Sequence, residues 1–178
     1  MPSYRAPVED TNFVLNDVLN YQRYNNLPGF ADATPDVVEA ILSEGAKLAE
    51  GTLFLVNHTG DQEGCVRAAD GSVKTPKGFK AAYDQYREGG WLGLAVPEQY
   101  GVQRLPYLLH TAFGEYLSSA NIAPTIYPGL THGAIAAILP HAHAQQKAPS
   151  LPTLPERKMT RTTQHTYPPS VTSLGPPH

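Results

Sequence analysis

The chain has a single cysteine, Cys65, among its 178 residues. A lone thiol cannot close an intramolecular disulfide, so the fold must rest on packing, and a reducing, cytoplasmic setting is the expectation. A basic surplus is also missing. Thirteen Lys and Arg stand against 16 Asp and Glu, a formal charge of −3, which offers no electrostatic footprint for nucleic acid. The opening MPSYRAPVEDTNF lacks the apolar core of a secretory leader. No run reaches the ~18 apolar residues of a membrane span. His132, His141 and His143 include a His-x-His pair, but no Cys or carboxylate cluster completes a ligand set. No metal is expected, and these histidines read as surface or helix-end residues.

What is present is helical periodicity. Val8, Phe13, Val14, Val18 and Leu19 fall near one helical face, with Asp10 or Thr11 able to cap the start. LPGFADA breaks that segment. Thr34-Pro35 opens a second helix, with threonine at the N-cap and proline at the first helical position. Val37, Val38, Ile41, Leu42 and Leu48 recur along it at helical spacing. Leu53, Leu55 and Val56 extend it, and NHTGDQEG is expected to stop it. Asp70-Gly71, flanked by valines, predicts a short hairpin. Thr75-Pro76 then leads into an apolar stripe of Phe79, Ala82, Tyr83 and Tyr86, closed by Gly89 and Gly90 in C-cap positions. Leu105-Pro106 opens a helix through YLLHTAFGEYLSSAN, and GLTHGAIAAIL predicts a buried helix of small residues. Five or six helices with short loops make an all-α bundle the expected fold.

Charge divides the chain. Residues 1–146 hold 9 Lys/Arg and 15 Asp/Glu, whereas residues 147–178 hold Lys147, Arg157, Lys158 and Arg161 against Glu156. Beyond about Leu154 the apolar period stops, and prolines, threonines and serines take over. Such a composition buries too little surface to offset the entropy of ordering. The expectation is therefore a domain over 1–154 and a disordered tail over 155–178.

The irregular segment EGGWLGLAVPEQYGVQRLP, residues 88–106, resembles a stretch near the end of the N-terminal helical domain of acyl-CoA dehydrogenases. The family form is Gly-Trp-x-Gly-x-x-x-Pro-x-Glu-Tyr-Gly-Gly-x-Gly. TPKGFKAAYDQYREGGW, SSANIAPTIYPGLTHGA and AAILPHAHAQQKAPSLPTL agree with it in order and spacing. MPSYRAPVEDTNFVLNDVL and FLVNHTGDQEG are similar to the branch that includes methylmercaptopropionyl-CoA dehydrogenases. Val102 and Arg104 stand where the pattern has glycines, so a positive φ at either would strain the backbone. Pro140 and Ala142 replace an alanine and a loop glycine.

The resemblance implies an FAD flavoprotein of fatty acid metabolism, an oxidoreductase that introduces an α,β double bond into an acyl-CoA. It also implies that the flavin site and the catalytic glutamate lie in further domains. A segment resembling WTGTMNLTEP is expected soon after Leu154, and PERKMTRTT stands there instead. A chain truncated or out of frame before the flavin domain is the expectation, with no catalytic residue and no tightly bound FAD of its own. By the same resemblance Tyr127, Gly129, Leu130, Thr131, Gly133 and Ala134 lie along the acyl cavity, although small residues serve close helix packing equally well. Glu98 and Glu115 read as ordinary exposed carboxylates. The glycines of 89–101 read first as a corner that turns Trp91 and Leu94 inward. Rival readings are a stand-alone helical interaction or acyl-binding module, self-associating through exposed apolar surface, and a fragment without function.

Overall fold

A computed structural model describes residues 3–100 and 103–152. The tail expected over 155–178 lies outside the described residues, as does Val102. The remaining elements are α1 (Val8–Phe13), α2 (Pro35–Leu48), α3 (Asn57–Glu63), β1 (Val66–Arg67), β2 (Val73–Lys74), α4 (Phe79–Glu88), α5 (Tyr107–His141) and α6 (Ala144–Ser150). Among the described residues the only sheet is the two-stranded β1–β2 ribbon, so the body is helical.

Helix α1 starts earlier than its sequence suggests. Pro7, whose ring restricts φ, precedes it, so Asp10 and Thr11 lie inside the helix and cap nothing. The Thr11 hydroxyl donates instead to the Pro7 carbonyl, at 2.8 Å. The expected apolar face is also corrected, because Phe13, Val14, Val18 and Leu19 are exposed and only Leu15 is buried. From Val14 to Val18 the chain widens into a π turn. That breaks the 3.6-residue period and swings the stripe outward.

Helix α2 opens as its sequence dictates, with Thr34 extended at the N-cap and Pro35 at the first helical position. Val38, Leu42, Gly45 and Ala46 face inward, and the stripe continues through a π turn at Ala49–Leu53 to bury Ala49 and Leu53. NHTGDQEG does not stop the chain there. It forms α3, because the side of Gly60 that lacks a Cβ accommodates the Phe79 ring, and the turn ends only at Gly64 with φ 60°. The expected hairpin forms with Val66 opposite Lys74 and Arg67 opposite Val73. Asp70 Oδ1 accepts from both the Ser72 amide and its hydroxyl.

Helix α5 decides the architecture. Its 35 residues are helical except at Asn121, where φ is −166° and ψ 104°. On a straight helix His110 and His132 would lie roughly 33 Å apart at 1.5 Å per residue. Their ring centroids are 3.8 Å apart. Residues 107–120 and 122–141 are therefore two antiparallel arms of a hairpin bent at Asn121. Its side chain caps arm two, with Oδ1 accepting from the Ala123 amide at 3.2 Å. Nδ2 donates to the Leu53 carbonyl at 3.1 Å, across 68 residues of sequence. Pro124 falls in the first turn of arm two, where an amide hydrogen has no partner to lose.

Arm one buries Leu109, Phe113, Tyr116, Leu117 and Ala120, and arm two buries Pro124, Pro128, Thr131, His132 and Ile135. The expectation of a wholly buried GLTHGAIAAIL helix is thereby corrected, since only one stripe of it is covered. Helix α5 is long and apolar enough by composition to cross a membrane, with mean hydropathy 1.3 in its most apolar window. Only 28% of that window is buried, along the core-facing stripes.

Asn121→Ala removes a cap worth about 1 kcal/mol. It also leaves the buried Leu53 carbonyl without its partner, a further ~1–3 kcal/mol. Urea unfolding should show a loss of roughly 2–4 kcal/mol, whereas a loss under about 0.5 kcal/mol would mean that the bend is held by something else.

Candidate functional site

The 89–101 segment forms a corner. Gly90, with φ 74°, closes α4, and one short turn at Trp91–Gly93 sends Leu92 and Leu94 into the core. Trp91 stacks on Phe113 of arm one at 4.2 Å between centroids. Phe113 stacks on Tyr86 at 6.3 Å, Tyr86 neighbours Tyr83 at 6.3 Å, and Tyr83 meets Tyr127 of arm two edge-on at 5.2 Å. These five rings tie the corner, α4 and both arms together. Gly45 makes the path possible, since a Cβ there would stand 2.7 Å from Phe113 Cδ2.

The far side of the corner carries the strain that the sequence pattern raises. Arg104 sits in the left-handed region, with φ 52°. That geometry costs a non-glycine residue roughly 1–2 kcal/mol. It is held by the Arg104 amide donating to Val96 O at 3.0 Å and the Leu105 amide donating to Leu94 O at 2.9 Å. At the other departure, Pro140 is accommodated in the last turns of α5, and Ala142 leaves the helix extended, at φ −78° and ψ 153°. That conformation needs no glycine.

The six residues expected along an acyl cavity divide between two sides of arm two. Thr131 is buried toward the core, and Ala134 is half-buried. Tyr127, Gly129, Leu130 and Gly133 are exposed. A Cβ built on Gly129 or Gly133 would meet no atom within 4 Å, so neither glycine serves close helix packing among the described residues. Ile122, Ile126 and Leu130, spaced by four, extend the outer face at 61%, 58% and 39% exposure, with Tyr127 beside them at 51%. No Asp, Glu, Lys or Arg occurs from Tyr116 to Gln146. A solvated helix face ordinarily carries charge, and this one carries none.

Four open grooves lie elsewhere, and none includes any of those six residues. One of about 490 Å³ runs between α1 and arm one, with Asp10 and Glu115 on its rim. A second, of about 570 Å³, is lined by Pro97, Glu98, Gln99 and Arg104. Glu98 and Glu115 thus sit in separate grooves and form no acid–base pair. Arg104 is the sole Lys or Arg lining these grooves, and it shares its groove with a carboxylate. A dinucleotide pyrophosphate calls for cations or free helix-terminal amides. Arg104 is the one cation these four grooves offer to such a group.

The histidines separate as well. His141 and His143 are exposed at the end of α5 and the start of α6, where the His143 amide donates to Gln146 Oε1 at 3.2 Å. His132 is not a surface residue, which corrects the expectation for it. It is 9% exposed and stacked on His110 at 14° between planes, with Tyr107 5.5 Å away. Burial depresses the basicity of both rings, and that of His110 is pushed down to about 4. Among the described residues no cluster of three or more metal-ligating side chains occurs. His110 and Asn121 went unnoticed in the sequence, although His110 and His132 lie symmetrically about Asn121, a pairing that is legible once the bend is known.

An all-α body of this kind, with a glycine corner and an antiparallel hairpin presenting an uncharged face, finds its relatives readily. Residues 65–157 match the acyl-CoA dehydrogenase N-terminal domain. The chain is 32% identical over 146 residues to the 3-methylmercaptopropionyl-CoA dehydrogenase of Ruegeria pomeroyi, covering 82% of this chain and 25% of that protein. It is 30% identical over 130 residues to the broad-specificity linear acyl-CoA dehydrogenase FadE5 of Mycobacterium tuberculosis, covering 72% of this chain and 21% of that one. The chain belongs to the acyl-CoA dehydrogenase family, in the region of its N-terminal domain, and spans a quarter or less of the curated relatives it matches.

The ring path predicts unequal costs. Phe113→Ala, at its centre, should cost about 3–5 kcal/mol and red-shift the emission of Trp91, the only tryptophan. Tyr127→Ala, at its exposed end, should cost no more than about 1.5 kcal/mol and leave that emission unchanged. Equal costs in urea unfolding would mean that the rings do not form one packed path.

Proposed function

We propose that this chain supplies the N-terminal helical layer of an FAD-dependent acyl-CoA dehydrogenase, with the outer face of arm two as one wall of the space that takes the acyl group. The reaction class is α,β-dehydrogenation of an acyl-CoA thioester. The observation that carries the reading is the uncharged outer face of arm two, with open space over Gly129 and Gly133 between Tyr127, Leu130 and Ala134. Such a face can exclude water from an alkyl chain and leave it room, which is a positioning role. Thr131 lies on the buried side of the same arm. FAD is held, on this reading, by residues outside 3–152, and no proton transfer falls to Glu98 or Glu115. The same apolar area favours self-association of the isolated chain, since patches beyond a few hundred Å² usually recruit a partner.

The experiment takes the purified 178-residue chain, saturates it with FAD, removes free flavin and then titrates it with acyl-CoA of increasing chain length. No stoichiometric flavin absorbance should remain. Affinity should rise with chain length by at most ~0.8 kcal/mol per methylene buried. Leu130→Arg should weaken the longer ligands at least about tenfold, the expected effect of an uncompensated charge beside an alkyl chain. Retained stoichiometric flavin would contradict the placement of the cofactor. Affinity indifferent to chain length and to Leu130→Arg would contradict the wall.

A further inference from the structure

We propose that the His110–His132 stack is an acid-sensitive clasp that holds the open end of the α5 hairpin shut while both rings are neutral and releases it when either ring gains a proton. The two rings sit at equal sequence distance on either side of Asn121, one on each arm, and lie nearly parallel at 3.8 Å. Tyr107 lies against both, 5.3 Å from His110 and 5.5 Å from His132. His110 Nδ1 and both nitrogens of His132 are buried and have no hydrogen-bond partner among the described residues. A neutral imidazole tolerates such a site as a flat, largely apolar ring. An imidazolium brings a charge and a second N–H that nothing there accepts, and an unpaired buried charge is strongly disfavoured. The rings therefore favour the closed hairpin only while neutral.

Among the described residues no opposing charge acts on either ring. The one electrostatic influence on His110 is His132 itself, a like charge once both are protonated, and His132 is affected by burial alone. Tyr107 contributes an aromatic ring packed against both imidazoles. The arm-one carboxylate, Glu115, acts on Tyr4 and Tyr116 and lines the groove beside Asp10. His141, His143 and Lys147, the next ionisable groups along arm two and α6, could only add positive charge. The sign of the linkage follows. Both histidines bind protons more weakly in the folded chain than in the unfolded one. Their contribution is complete above about pH 6.5, the ordinary value for histidine, and is lost as the pH falls from there toward about 4. The clasp does not depend on what the outer face of arm two binds.

The test compares urea unfolding of the full chain between pH 8 and pH 4 with that of a His110→Phe/His132→Phe double variant, which keeps two stackable rings and removes the titration. Below pH 6.5 the wild-type unfolding constant should rise toward tenfold per pH unit, reaching roughly 150-fold at pH 4 from His110 alone. The double variant should lose most of that slope while keeping the part due to carboxylates. Should the variant not fold, the imidazole resonances of the wild-type chain decide, since two of them should titrate well below pH 6.5. Hydrogen exchange at pH 5 should release residues 132–139 while the bend around Asn121 stays protected. Two rings titrating near 6.5, an unchanged slope in the folded double variant, or simultaneous release of the bend and the open end would each overturn the proposal.

Discussion

One side chain, the carboxamide of Asn121, sets what the rest of the molecule can do. Its oxygen starts arm two, its nitrogen reaches the Leu53 carbonyl, and its extended backbone reverses the chain. Leu53 closes the π turn that follows α2. The bend of the hairpin is thus pinned to the same helix that admits Phe113 over Gly45. A buried amide with both ends satisfied fixes a geometry that apolar packing alone leaves free to slide.

The two faces of arm two follow from that bend. With the arms antiparallel, His132 meets His110 of arm one, Thr131 and Ile135 are buried on the same stripe, and Ile122, Ile126, Tyr127 and Leu130 are exposed. The inner face is settled by packing and by a histidine stack whose basicity burial lowers. The outer face is uncharged, and open space lies over its glycines. Conventional solvation does not explain that composition, whereas a neighbouring apolar group does. In the function proposed above, that group is an acyl chain.

Much of the fold was legible because short-range rules dominate it. Thr34-Pro35 opened a helix, Asp70-Gly71 turned a hairpin, and Gly90 closed α4 in a left-handed conformation. The glycine corner turns Leu94 inward as expected, whereas Trp91 is only half-buried, against the Phe113 ring. The failures share one cause, which is that tertiary context overrode a local signal. The π turn at Val14–Val18 rotated an apolar stripe out of register, and the Phe79 ring let α3 form where a stop was expected. His132 read as a surface residue because its partner lies 22 positions away around a bend that no local pattern announces. The candidate wall was legible only through family resemblance, since small residues alone do not distinguish a packed helix from an open one.

The central claim is that the outer face of arm two lies against an acyl chain, and Gly133 offers the most direct probe because it has open space above it. In a Cys65→Ser background, Gly133→Cys would be alkylated with and without acyl-CoA of increasing chain length. Alkylation should slow progressively as the chain lengthens and remain unaffected by coenzyme A alone. A rate at position 133 that is the same for every chain length, or that falls equally with coenzyme A, would contradict the account.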